Sequence, residues 1–484
     1  MYPSTHSPLL VESLLPVEMP LPLPLSAVAK RAPAQLTHIL KLRASRIFLS
    51  SLLLWLLLYA YCRTRFWRDP HSAFFQEAHV YDLDYSLYRE REGTHFLARH
   101  NAPTTRPGEE FHYHYTKNNS EGGSETPAVC VAIVTVRREQ DTYFDASVGS
   151  LLEGLTEHER KPLHLSVLFA DIDPAVHPSW GQKWVERLVD QVGGYNVSAE
   201  QLEDLRKWEA ERNFYRKGVF DYIYALRTCQ GVNAPYTLIF EDDIILATGW
   251  FARTLKSLAE ISRREAGANQ GHSHAAKNQK PWLYLRLFYT ETALGWSSAD
   301  FAYEHMPLIF LTLTALSFTA LYFLQRSRRF QPLHLDTPSI LVISLLCIPA
   351  FTALAYMVGK YNLMPLRGVV QMNKFGCCTQ GLLFPAQQVD RLIGFLEDRG
   401  HGQTDSLIEE YADLNGLNRY AVALPLLQHV GLKSSRDNTD VNTQSTWAFW
   451  FETNKPEALR REHAELLGDA DVQQMLELPC PRLP

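Results

Sequence analysis

Cysteine is scarce in this sequence: there are seven in 484 residues, none at the spacing of a zinc site. That excludes both a thiolate metal centre and a fold stapled mainly by disulfides. An excess of basic charge is also lacking. Lys+Arg 47 against Asp+Glu 53 leaves a net charge of −6, which argues against general nucleic-acid binding. No internal repeat is visible. No small-residue cleavage site follows the first apolar run, so a cleaved signal peptide is not expected. Uncharged apolar length, by contrast, is plentiful, although the mean hydropathy is only −0.19. Ile47–Cys62, Pro307–Leu324 and Pro338–Val358 contain no charged residue, and the second and third have spanning length. The first is shorter, but Arg43, Arg46 and Arg63 can snorkel.

Orientation follows from the basic flanks. Lys30, Arg31, Lys41, Arg43 and Arg46 precede the first run, and Arg326, Arg328 and Arg329 lie between the second and third. Both signals favour a cytoplasmic N-terminus and three crossings. The expected organisation is a disordered cytoplasmic tail over 1–46, a span over 47–62 and a lumenal stem over 63–126. The first part of a folded domain follows over 127–304. Spans over 305–324 and 338–358 are joined by a cytoplasmic loop over 325–337, and the domain resumes over 359–484. The sequons at Asn118 and Asn196 fall in the lumenal part. Outside the spans, Cys130, Cys229, Cys377, Cys378 and Cys480 allow at most two disulfides, which sequence does not pair.

The folded part reads as α/β. Ala128–Val136 and Leu163–Ala170 are β-branched or apolar runs suited to buried parallel strands, with a helical pattern between them. Residues 199–230 read as helix, and Glu265–Lys280 as a polar loop. Within that helix Lys217 and Asp221 stand at i, i+4, which by itself suggests a surface pair. Tyr236–Leu246 reads as a third strand carrying three consecutive carboxylates, Glu241, Asp242 and Asp243. Adjacent acids repel, so a folded chain keeps them beside a buried strand where a cation or donors compensate; otherwise they form a solvated turn. An oxygen-rich cluster suits Mg²⁺ or Mn²⁺ shared with a diphosphate. Further strands are expected at Trp282–Phe288, Val369–Met372 and Phe375–Phe384, and a helix at Ser406–Leu414. Ser406 and Glu409 have the spacing of a capping box.

In this order, five segments resemble the Golgi family of GPI-anchor N-acetylgalactosaminyltransferases, which are GT-A glycosyltransferases. They are Val134-Thr-Val-Arg-Arg138, Lys217-x-x-x-Asp221-Tyr222, Phe240-Glu-Asp-Asp-Ile244, Gly376-Cys-Cys-Thr-Gln-Gly381 and His429-x-Gly431-x-x-Ser-Ser435. The resemblance covers about 127–300 and 362–450. N-glycan-branching N-acetylglucosaminyltransferases are similar around the triplet but lack the interrupting hairpin. A Rossmann-like GT-A domain split by a transmembrane hairpin is therefore implied. So are a UDP-sugar donor (UDP-GalNAc in that family), inverting transfer, Mn²⁺ or Mg²⁺, and GPI-anchored proteins as acceptors.

The resemblance also implies roles. Asp243 would be a metal ligand, Asp242 or Glu241 would reach the ribose, and His429 would complete the metal site. Thr135 and Arg137 would meet uridine or phosphate, with Lys217 and Asp221 in the same donor site. Asp405 matches the general base, although an Asp at a helix start also serves the helix alone. Glu409 or Glu410 is the fallback. Trp296, Phe301, Tyr303 and Tyr361 are expected at the membrane interface. The competing readings are an N-glycan transferase and a membrane adaptor that keeps the fold without turnover.

Overall fold

A computed structural model of the chain describes residues 42–102, 126–138, 143–270, 280–327, 335–372, 376, 378–431 and 446–477. The disordered-tail expectation before residue 42, the sequon at Asn118, most of the 103–126 linker, and Arg328, Arg329, Cys377, Cys480, Ser434 and Ser435 lie outside these residues. The described chain divides into two compact units. One comprises the described parts of Met1–Tyr61 and Ala299–Leu354, the other those of Cys62–Ser298 and Ala355–Pro484.

Among the described residues three helices are long and apolar enough to cross a membrane: Arg43–Arg65, Met306–Arg326 and Thr337–Val358. Each extends beyond its uncharged run because the flanking residues continue the helix without a breaker. Met306–Arg326 has Pro307 in its first turn, where the missing N–H costs nothing. Thr337–Val358 is capped by the Asp336 side chain, which accepts from Ser339 N–H. Within the first unit, Trp55 Nε1 donates to the Ala350 carbonyl at 3.0 Å, satisfying a polar group inside an apolar stretch.

The second unit is mixed α/β. β1 (Val129–Thr135) lies between β2 (Leu163–Phe169) and β4 (Tyr236–Phe240), parallel to both, and β3 (Gln191–Gly193) extends β2. β8 (Gly381–Pro385) pairs antiparallel with β4 and with β6 (Trp282–Arg286). β9 (Asn418–Ala423) and the edge strand β7 (Gly368–Gln371) complete an eight-stranded sheet in the order β3-β2-β1-β4-β8-β6-β9-β7. Val129, Val131 and Ile133 face one core cluster and Cys130 and Ala132 the other, so both faces of β1 are covered. This explains its continuous apolar sequence. A Cys130–Cys229 disulfide ties β1 to the helix Phe214–Val232, and Cys378 is disulfide-bonded as well.

Several boundaries differ from the sequence expectation. The run Tyr236–Leu246 is two strands: β4 stops at Phe240, and β5 (Ile244–Leu246) pairs in a separate two-stranded sheet with β10 (Leu427–His429). The triplet leaves the ladder between them, and Ser147 replaces the lost partners. Its hydroxyl, with one hydrogen to share, lies 2.7 Å from the Asp242 carbonyl and 2.6 Å from the Ile244 carbonyl, and it accepts from Ile244 N–H. The helix expected over 199–230 is two, Ala199–Ala210 and Phe214–Val232, broken where Arg212 takes φ 54° and Asn213 caps the second. Residues 265–270 continue the helix Trp250–Gln270 instead of starting a loop, since Arg-Arg-Glu-Ala is good helix-forming sequence. Glu77–Val80 and Tyr85–Asn101, in the expected stem, are helical. The latter meets Tyr143–Leu152 so closely that a Cβ on Gly93 would fall 2.6 Å from the Gly149 carbonyl carbon. Tyr361, expected at the interface, is buried and packs on Trp450, whereas Phe301 and Tyr303 are exposed.

Candidate active site

The sheet brings the acidic triplet to the carboxyl end of β4, with its side chains turned different ways. Glu241, Asp243 and His429 form one group, with ligand atoms all within 4.8 Å of one another. His429 Nε2 lies 3.4 Å from Asp243 Oδ2. The β5–β10 pairing produces this meeting: His429 stands opposite Ile244, one residue beyond Asp243, and Val430 N–H donates to the Asp243 carbonyl at 2.9 Å. Two carboxylates and an imidazole form a mixed oxygen and nitrogen donor set of the kind that holds a divalent metal ion. Metal–oxygen distances of ~2.1 Å set ligands on one octahedral ion ~3–4 Å apart, so a group spread over up to 4.8 Å would draw in slightly to share an ion. One further feature fits a cation: Asp243 Oδ1 is buried without a hydrogen-bond partner among the described residues. An acceptor in that state is costly unless something positive completes it.

Asp242 turns toward β1. Its Oδ2 accepts from the Thr135 hydroxyl at 2.7 Å and its Oδ1 from Arg138 Nη2 at 2.5 Å. Arg138 Nη2 also reaches Asp243 Oδ2 at 3.0 Å, so one guanidinium bridges two acids. Thr135 Oγ1 lies 3.1 Å from His177 Nε2, and Ser179 N–H donates to His177 Nδ1. That places the ring proton on Nε2, donating to a hydroxyl already spent on Asp242. Burial lowers the His177 pKa to about 4, keeping the ring neutral.

The charges interlock. Burial alone would raise the Asp243 pKa, but His429 and Arg138 hold it well below the usual carboxylate range. Burial opposes the His429 charge, and the facing Asp243 carboxylate overcomes that and raises its pKa. Asp242 is shifted upward by burial and by its neighbour Asp243, against the pull of Arg138. Arg138 itself resists the effect of burial because both acids stabilise its charge.

Gly431 makes room for this arrangement. A Cβ there would fall 2.1 Å from Asp243 Oδ2, far inside contact distance. Gly431→Ala is expected to displace Asp243 and to weaken any activation by Mn²⁺ by about 10- to 100-fold, the usual scale for disturbing a ligand's support. A metal-activation curve indistinguishable from wild type would contradict this.

Of the other sequence-derived residues, Arg137 has an exposed side chain, and its backbone N–H donates to Asp171 Oδ2 at 2.9 Å. Lys217 and Asp221 are not a surface pair. Both are buried, and Lys217 Nζ donates to the Ala170 carbonyl (2.5 Å), Tyr195 OH (2.8 Å) and Asp221 Oδ2 (3.1 Å). These three bonds use all the ammonium hydrogens at the carboxyl end of β2, beside Asp171. Lys217 and Asp221 thus sit at the end of β2, one strand away from Thr135 and the triplet, and the Arg137 backbone N–H reaches that edge through Asp171.

Asp405 sits in the first turn of the helix Thr404–Asn415 and reaches the triplet indirectly. Its Oδ2 accepts Cys378 N–H at 3.0 Å. The next residue, Thr379, donates its hydroxyl to Glu241 Oε1 at 2.6 Å, and Glu241 N–H donates to the Gln380 carbonyl. The capping box predicted from Ser406 and Glu409 is not formed. The helix starts two residues before Ser406, and Glu409 instead binds Arg419 and the Tyr284 hydroxyl. Glu410 pairs with Arg399 at the surface, 2.6 Å away.

Sequence reasoning did not single out Arg138, His177, Thr379 or Ser147. Arg138 and Thr379 stood inside quoted segments, but nothing local tells that their side chains turn toward the triplet. The others meet the triplet only through the tertiary fold. The family model for the GPI-N-acetylgalactosamine transferase PGAP4 matches residues 129–428. No curated protein matches the chain.

Proposed function

The chain belongs to the GPI-N-acetylgalactosamine transferase family, and on that premise we propose that it transfers N-acetylgalactosamine from UDP-GalNAc, with inversion, to the mannose core of GPI anchors on proteins. The carrying observation is the meeting of Glu241, Asp243 and His429 at the end of a central strand, with an unpartnered Asp243 oxygen among them. In the proposed site Asp243 and His429 hold Mn²⁺ or Mg²⁺, which supplies charge neutralisation for a leaving diphosphate. Asp242, oriented by Thr135 and Arg138, and Glu241, oriented by Thr379, stand beside it to meet the ribose. Arg137, Lys217 and Asp221 line the nucleotide end through the β1 and β2 termini. Asp405 removes the acceptor hydroxyl proton.

The mixed sheet is read as a GT-A domain. Two observations favour its interruption by a membrane hairpin: helices Met306–Arg326 and Thr337–Val358 are both of spanning character, and they fall between β6 and β7 of one sheet. Three membrane attachments near a lipid-anchored acceptor raise its effective concentration at the site. The same reading puts the N-terminus in the cytoplasm and the catalytic domain in the Golgi lumen.

A donor screen tests the proposal. The full-length protein in membranes, with Mn²⁺, is offered UDP-GalNAc, UDP-GlcNAc and UDP-galactose against a GPI-anchored protein and against the same glycoprotein without an anchor. Transfer of GalNAc to the anchored form alone is expected. Equal transfer to both forms would favour an N-glycan transferase.

A further inference from the structure

Besides Asp243 Oδ1, the Tyr222 hydroxyl and Gln380 Oε1 are buried polar atoms near the triplet with no hydrogen-bond partner among the described residues. Tyr222 is 7% exposed and Gln380 2%. A buried donor and a buried acceptor each left unmade are costly, and a folded protein tolerates them where a buried water, an ion or a ligand completes them. Both residues fall within the segments Lys217–Tyr222 and Gly376–Gly381, yet neither takes part in the metal, nucleotide or base roles assigned above.

Their position follows from the strands. The Gln380 carbonyl accepts Glu241 N–H at 3.3 Å, which puts Gln380 directly across from the first acid of the triplet. Gln380 stands in a bend one residue before β8; a Cβ on Gly381 would point at Phe240 and Leu427, and continuing the strand's alternation back by one residue would put the Gln380 side chain on the opposite face. That face carries Leu382, Phe384 and Tyr222 in one apolar cluster, with the Tyr222 ring edge-on to Phe384 at 6.4 Å. The Tyr222 hydroxyl is kept protonated by burial and by the nearby Glu241 carboxylate, so it is a donor. The site therefore offers one O–H donor, one carbonyl acceptor and an apolar wall, next to Glu241.

A secondary amide bearing a methyl group is the complement of that set: its N–H meets the acceptor, its carbonyl meets the donor, and its methyl meets the apolar surface. We infer that Tyr222 and Gln380 form the subsite that reads the acetamido group of the donor sugar and so sets preference for an N-acetylhexosamine over a hexose. The inference rests on the reading that the donor is UDP-GalNAc.

Equilibrium titration of the full-length protein with UDP-GalNAc, UDP-galactose and UDP tests it, with Tyr222→Phe and Gln380→Met as near-isosteric variants. Each variant is expected to weaken UDP-GalNAc binding by about 10- to 100-fold, the scale of a buried polar group losing its partner, while UDP and UDP-galactose binding stay unchanged. Equal weakening for all three nucleotides, or loss of UDP binding in both variants, would make the two side chains structural and overturn the inference. Unchanged preference for UDP-GalNAc in both variants would overturn it while leaving the donor reading intact. A wild-type protein that binds UDP-galactose as tightly as UDP-GalNAc would sink the donor reading itself, and the inference with it.

Discussion

Asp243→Asn is expected to reduce sugar transfer by about 100- to 1,000-fold or more, the scale at which loss of one preorganised electrostatic group depresses turnover. Asp243 is the residue on which the other charges converge. Its Oδ2 faces Arg138 at 3.0 Å and His429 at 3.4 Å, and its Oδ1 is the buried oxygen without a partner. Asparagine keeps the shape and removes the charge, so the proposed metal site loses its central anionic ligand without leaving a cavity. Arg138 would retain Asp242 as a counter-ion. Asp243→Ala should act on stability as well, because Arg138 and His429 would then flank an empty space in a buried site, and breaking such a pair costs about 3–5 kcal/mol. Transfer rate, Mn²⁺ activation and thermal stability measured on both variants separate these effects. The Asn form should fold with a melting temperature near wild type, fail to transfer, and respond weakly to added Mn²⁺. Retention of more than about a tenth of wild-type turnover would remove Asp243 from the chemistry, since even support residues usually matter at the 10-fold level. EDTA should likewise abolish wild-type transfer and excess Mn²⁺ restore it.

Legibility in the sequence tracked how local each determinant is. The three apolar helices are visible because absence of charge over spanning length is a local property. β1 and β2 are visible for the same reason, being apolar throughout because both faces are covered. The triplet also stands out locally, but its effect on the backbone does not. Three carboxylates that leave the ladder end β4 early, and the compensating Ser147 lies almost a hundred residues upstream. The Lys217–Asp221 pair looks like a surface pair because nothing nearby in sequence reveals that Ala170 and Tyr195 will enclose it. Ser406 and Glu409 satisfy the capping-box pattern, yet two arginines and a tyrosine from other strands draw Glu409 away. In each case a short-range rule was overruled by a charged or polar partner arriving from another element of the fold.

The same logic gives the expected behaviour of Asp405. Asp405→Asn should lower kcat by about 100- to 10,000-fold, the range for loss of a positioned general base, with the donor KM changed by less than about three-fold. Two alternatives are already engaged. Glu409 is bound to Arg419 and the Tyr284 hydroxyl and lies 3.6 Å from Arg286, while Glu410 pairs with Arg399 away from the triplet. Asp405 accepts Cys378 N–H on Oδ2 and Ser406 N–H on Oδ1, and a carboxylate oxygen accepting one bond keeps a second lone pair for a proton. Its other role is structural. Through Cys378 it holds the turn from which Thr379 reaches Glu241, so its removal could act on the donor site without any proton transfer. Asparagine distinguishes the two, because its carbonyl oxygen can still accept Cys378 N–H while it cannot serve as a base. Alanine can do neither, and should lower kcat and also raise the donor KM as Thr379 and Glu241 lose their support. A normal kcat in Asp405→Asn combined with a raised donor KM in Asp405→Ala would make Asp405 a positioning residue only. A large fall in kcat at unchanged donor KM in the Asn form would assign it the acceptor proton.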